Sequence, residues 1–206
     1  PGLSLAGIIK QNSLLNSTDL NYALLLRRDK FASQSEIVQF EPGKVLDGSF
    51  DFMLNKFDQI TLFNRLGFDD VKSIEKEVSE GDLKSAQDDL KSEQANYLQE
   101  LESASFTDKQ LLLKDTKTFS RKKLLSPIIA RLKNEGTLAN PIKLVEITGQ
   151  VKYPGVYPIA RDGRVRDLIL ASGGLIESAY VQKAELSRTQ LDINSELKVQ
   201  HIDINL

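Results

Sequence analysis

Cysteine and tryptophan are absent from this chain of 206 residues, which has one histidine and one methionine. Without cysteine there is no disulfide framework and no thiolate chemistry. With His201 as its sole imidazole, the chain cannot build a histidine metal cluster, and no nucleophile stands at a recognisable spacing from that ring. Asp69-Asp70 and Asp88-Asp89 are adjacent pairs that point to different helix faces and make poor cation cages. Gly173-Gly174 closes a helix, whereas a phosphate loop needs glycine before a helix and a following Lys-Ser/Thr. The sequence therefore predicts no catalytic residue, no metal and no cofactor, and the chain is not expected to be an enzyme. Its formal charge of -2 and pI of about 5.6 supply no basic field for nucleic acid. No apolar run approaches the ~20 residues of a membrane-spanning helix. Pro1–Lys10 also lacks the charged-then-apolar layout of a signal peptide, so the expectation is an internal piece of a longer protein.

What is present is concentrated between Val145 and Leu175, VEITGQVKYPGVYPIARDGRVRDLILASGGL. Val145, Ile147, Gln150 and Val151 form a β-rich run. Pro154-Gly155 suits the corner of a type II turn, since proline presets φ and glycine takes the position with φ > 0. Val156, Tyr157 and Ile159 restart the β pattern, which predicts a hairpin. Val165, Leu168 and Ile169 then fall at i, i+3, i+4, one apolar stripe on a helix over 164–172. Gly173-Gly174 ends it in the left-handed conformation that favours glycine.

GQVKYPGVYPI followed by RVRDLILASGGL resembles the SLBB domain, the soluble-ligand-binding β-grasp module, in the version found in polysaccharide export outer-membrane proteins of the Wza type. The resemblance implies ring assemblies that span the periplasm and outer membrane, with SLBB modules stacked around an aqueous conduit. The implied partners are other copies of the same protein, the polysaccharide, and an inner-membrane export or copolymerase component. The implied location is the periplasmic part of an outer-membrane-associated protein.

An internal repeat accompanies this motif. Leu5, Ile8 and Ile9 repeat the stripe of Val165, Leu168 and Ile169, and Leu15 corresponds to Leu175. NYALLLRRD matches KAELSRTQ with Arg27 at the place of Arg188, and Val38-Gln39-Phe40 matches Val199-Gln200-His201. A strand-packing role for His201 follows from the match to Phe40. The first copy begins at its helix and lacks the 144–159 hairpin, but it owns a run from Phe52 to Phe63 that resembles the family's closing strand. The second copy has the hairpin and stops before any such strand. The predicted fold is therefore α+β, with two partial β-grasp modules that complement each other within or between chains: 1–65, the carboxy-terminal part of a first copy, and 141–206, a second copy without its closing strand.

Between them, 66–140 reads as a helical insertion. Val71, Ile74 and Val78, then Leu83, Leu90, Tyr97 and Leu101, keep helical spacing around Gly81, and an acidic solvated face accompanies them. Leu124, Leu125, Ile128, Ile129 and Leu132 make a clear apolar stripe interrupted by Pro127. Proline costs ~3 kcal/mol or more inside a helix, so either Ser126 caps a helix opening at Pro127 or the helix is kinked there.

The binding candidates surround the predicted turn: Tyr153, Pro154, Gly155 and Tyr157, with Lys152, Arg164 and Arg166 supplying positive charge. Tyrosines at a hairpin tip can stack on sugar faces or pack on a neighbouring subunit, or else cover the module's own core. The cations can meet an acidic polysaccharide or simply solvate a loop. Two function classes follow: a non-catalytic structural and interaction module of an export channel, or a carbohydrate- or small-ligand-binding sensor or adaptor.

Overall fold

The computed structural model of the chain describes residues 2–10, 13–28, 35–67, 119–137, 143–160, 162–191 and 197–205. The helical hairpin expected within 66–140 falls mostly on 68–118, outside the described residues. The architecture is α+β, with helices and small antiparallel sheets.

Its centre is β1 (Thr18–Arg27), the middle strand of a three-stranded sheet flanked by β2 (Glu36–Phe40) and β3 (Gln59–Asn64). Both neighbours run antiparallel, so Leu24 faces Gln39 on one side and Thr61 on the other. The run Tyr22-Ala23-Leu24-Leu25-Leu26 is apolar without alternation because both faces of β1 are covered. Ala23 and Leu25 point into a cluster with Leu5, Ile9, Phe40 and Val45. Leu5 belongs to α1 (Leu5–Ile8), and Val45 to α2 (Pro42–Leu46). Pro42 opens α2 in the first turn, where its missing N–H breaks no hydrogen bond.

Tyr22, Leu24 and Leu26 point to the opposite face, into a second cluster that draws on the rest of the chain. There they meet Leu125, Ile128 and Leu132 of α3 (Arg121–Glu135). Tyr157 of β5 (Gly155–Pro158) and Ala171 of α4 (Val165–Ala171) join them, with Leu144 and Ile147 of β4 (Leu144–Ile147) packed alongside. The α3 stripe is the predicted one, but its cap is Ser120 and Pro127 lies inside a single continuous helix. Ser126 therefore does not cap it, and Pro127 offers no N–H to the carbonyl one turn back.

The β4–β5 hairpin pairs Ile147 with Gly155 and Leu144 with Pro158. It lacks the predicted tight corner. Pro154-Gly155 does not turn the chain: Gly155 opens β5, and the connection runs from Thr148 to Pro154. That loop bonds elsewhere. Lys152 and Tyr153 donate N–H groups to the carbonyls of Gly174 and Ser172, at 3.1 and 2.8 Å, and Ile176 N–H returns to Gln150 C=O at 3.1 Å. Val151 bridges Leu175. The backbone that would have made a two-residue turn is thus zipped onto the end of α4.

The last unit is a hairpin of β6 (Ala184–Leu191) and β7 (Leu197–Ile204), a two-stranded sheet of its own. Leu197 and Val199 are 74% and 60% exposed. His201 does not pack as Phe40 does. Phe40 is buried and stacks on Phe50, whereas the His201 ring lies on an exposed face, 2.6 Å from Glu185. The repeat also loses its register here. Leu25 faces Val38, whereas Val199 faces Thr189, and Thr189 is the counterpart of Arg28, not of Leu25. Among the described residues no strand of 1–65 pairs with a strand of 141–206. Within the chain, the described strands do not complete one another's sheets, and what the two stretches share is a core.

Candidate functional site

The site predicted around the hairpin is built on Arg121, a residue outside the predicted set. Arg121 opens α3 and is buried. One terminal nitrogen donates to the Asp19 carboxylate and the other to Ala171 C=O at the end of α4. Its guanidinium lies 5.2, 5.4 and 4.8 Å from the ring centres of Tyr22, Phe63 and Tyr153. A planar, delocalised, weakly hydrated cation suits such a box, and the rings and Asp19 offset the cost of burying it. Tyr22 stacks on Phe63 at 4.8 Å and meets Tyr157 edge-on at 6.2 Å.

Tyr153 closes this box from the hairpin side. Its hydroxyl donates to Arg65 C=O at 2.5 Å, and Lys152 Nζ reaches the same carbonyl at 3.3 Å. The ring also explains the second glycine signal. Gly173 adopts φ +80°, and a Cβ there would stand 2.6 Å from a Tyr153 ring carbon. Glycine is needed for the backbone angle and for the approach of the ring. Tyr157 is 2% exposed and donates its hydroxyl to Tyr153 C=O at 2.6 Å. Burial pushes that phenol up to about 12, against a smaller pull from Arg121. Burial raises the Tyr22 phenol as well.

The predicted residues thus divide. Tyr157 is core, Tyr153 and Lys152 are half-buried at a joint with Arg65, and Gly155 lies in a strand. Pro154, Arg164 and Arg166 are exposed. Arg164 caps α4, its backbone N–H bonding the Asp167 carboxylate at 2.8 Å. Among the described residues, neither Tyr153 nor Tyr157 is an exposed ring beside those cations. Among the described residues no group of three or more His, Asp or Glu side chains is placed to hold a metal ion.

Arg121 was legible only indirectly. Three cations, Arg121-Lys122-Lys123, start α3 with no acid in its first turn. Cations are unfavourable at the positive end of a helix, so one of them calls for a partner elsewhere. Asp19 gave no such sign, because it stands in a short polar stretch before the apolar run.

A second ion pair supports the sheet. Arg27 Nε and Nη2 bond Asp58 at 3.1 and 2.7 Å, and Nη2 also reaches Met53 C=O at 2.8 Å. Burial pushes the Asp58 carboxyl up. The Arg27 bonds and the Asn55 N–H outweigh that and hold it below its ordinary range. Arg188, which the sequence comparison aligns with Arg27, bonds Gln200 instead, at 2.9 and 3.0 Å.

The hairpin zipped onto a helix that ends in two glycines has a counterpart in a known family. Residues 144–196 match the model of the SLBB domain family. The match begins at β4 and covers the loop, α4 and β6, a minority of the chain. No curated protein and no solved structure matches the chain.

Proposed function

We propose that this chain is a non-catalytic structural and interaction module of a bacterial capsular or exopolysaccharide export channel, in the periplasmic part of an outer-membrane-associated protein. Its partners are other copies of the same protein, with an inner-membrane export component and the polysaccharide. One observation carries the reading over a ligand-binding one: the aromatic side chains of the SLBB hairpin are committed to the chain's own fold. Tyr157 is buried in the core and Tyr153 lies against Arg121 and Gly173. Sugar-reading sites present ring faces outward, and this loop turns them inward.

Titration with an anionic oligosaccharide separates the two functions. The structural module shows no saturable binding, and Arg166→Glu in the full-length protein impairs assembly. Saturable micromolar binding that Arg164→Glu or Arg166→Glu abolishes would replace this reading with a sensor or adaptor.

A further inference from the structure

We propose that the turn carrying Phe57, with Met53 and Leu3 beside it, docks on an anionic lipid surface, and that Phe57 is the side chain that enters the interface. Among the described residues Phe57 is the one non-glycine residue with positive φ, at 73°. The Asp58 N–H bonds Asn55 C=O at 3.2 Å and closes a turn in which Phe57 stands third. A positive φ at that position suits glycine or asparagine, and a bulky side chain there is strained. The surroundings impose the angle. The Asp58 carboxylate accepts the Asn55 N–H at 2.8 Å and is itself held by Arg27, which also reaches Met53 C=O. That clasp would close equally well around a glycine, so the ring is not what makes the turn. Nor does the ring serve the core, since Phe57 is 66% exposed and belongs to neither buried cluster. A side chain that strains the fold and returns no packing calls for a contact outside the chain.

Its neighbours define the kind of contact. Residues 3–5 run along 52–54, with Leu5 N–H on Phe52 C=O at 3.0 Å and Leu54 N–H on Leu3 C=O at 2.8 Å. On this pair Leu3 and Met53 are 58% and 56% exposed, and the Met53 methyl lies over Gly2, where a Cβ would collide with it. Three large apolar side chains are thus exposed around one clasp. The acids of the same stretch are turned to the fold. Asp58 is engaged by Arg27, and Asp51 accepts the Ala6 and Phe52 N–H groups at 2.9 and 2.8 Å. Lys56 stands at the turn itself, its Nζ 4.9 Å from the centre of the Phe57 ring. An apolar tip beside a lysine fits the boundary of an anionic bilayer, with the ring at the acyl chains and the ammonium among the phosphates. The inference is independent of the export reading, which assigns no lipid-touching residue to this chain, and its test involves no polysaccharide.

Tryptophan is absent from the chain, so Phe57→Trp places a single indole reporter at the tip. Its emission is expected to shift to the blue, and to be quenched by brominated lipid, on addition of vesicles of phosphatidylethanolamine and phosphatidylglycerol, with less effect from phosphatidylcholine alone. In cosedimentation with the same anionic vesicles, Phe57→Asn should weaken binding roughly tenfold or more. Lys56→Gln should weaken it roughly fivefold, an effect that shrinks in high salt. Urea unfolding separates this role from a structural one. Phe57→Asn should raise the midpoint while losing the vesicles, because asparagine accepts the left-handed angle. An indole that stays in water beside anionic vesicles, a Phe57→Asn chain that binds them as the wild type does, or a lowered midpoint in that variant would each overturn the proposal. So would a blue shift that grows with protein concentration in the absence of lipid, which marks a protein contact instead.

Discussion

Arg121 is the residue on which the two parts of the chain meet, and its loss should cost more than that of any exposed cation. Arg121→Ala leaves Asp19 buried without its partner, a situation that costs about 3–5 kcal/mol. Arg121→Lys should recover little, because a point charge cannot reach both Asp19 and Ala171 C=O while lying flat against three rings. Urea unfolding of the three proteins measures this directly, and a loss below 1 kcal/mol in the alanine variant, within the range expected of an exposed ion pair, would refute it. At Gly173 the cost has two sources, the positive φ and the Tyr153 ring, and strain of this kind amounts to roughly 1–3 kcal/mol. Gly173→Ala should therefore be less damaging in a Tyr153→Ala background, where the backbone angle and the looser approach to Lys152 Cβ at 3.2 Å remain but the ring does not. Equal costs in both backgrounds would show that the ring does not press on Gly173.

At the scale of elements, the sequence was clearest where periodicity and punctuation agreed. The Val165, Leu168, Ile169 stripe and Gly173-Gly174 marked α4 to within a residue at each end, and the α3 stripe named its buried face. β1 was harder, because a strand covered on both faces shows no alternation and LNYALLL carries no side to read. The Pro154-Gly155 corner misled for a physical reason. Proline and glycine do mark a bend, but local turn chemistry does not know that Lys152 and Tyr153 will bond to the end of α4. The tyrosines were ambiguous because an aromatic at a loop serves equally as an outward platform or an inward anchor, and only the cation box decides between them.

The ion pair between β1 and the turn before β3 carries a pH dependence. The Asp58 carboxyl is held low in the folded chain. Its contribution is therefore complete above the unfolded value near about 4 and is lost as pH falls through the lower folded value. Asp58→Asn should flatten the acid limb of the stability curve, read as urea midpoints from about pH 5 down to about pH 2. An unchanged limb would remove Asp58 from the set of titrating groups. Tyr157 acts at the other end. Its phenol is raised to about 12, so its stabilising effect is full below the unfolded value near about 10 and is lost as pH rises toward the folded one. Tyr157→Phe should be less stable at neutral pH, where the bond to Tyr153 C=O is missing, and lose less stability than wild type in alkali.

At the scale of the whole molecule, the two stretches that the sequence aligns differ in structure. The first unit has its third strand, its Arg27–Asp58 pair and a sheet buried on both faces. The second sends its hairpin and α4 into the first unit's core and leaves β6–β7 outside it. The loop inside the stretch that matches the SLBB model is thus a seam between the two stretches, and this view makes Tyr153 a structural residue. A double-mutant cycle on Arg121 and Tyr153, followed by urea unfolding, tests it most directly. A seam predicts a single cooperative transition in the wild type and a coupling of about 0.5–2 kcal/mol between the two side chains. Additive effects, or two separate transitions, would show that the hairpin and the β1 sheet stand independently.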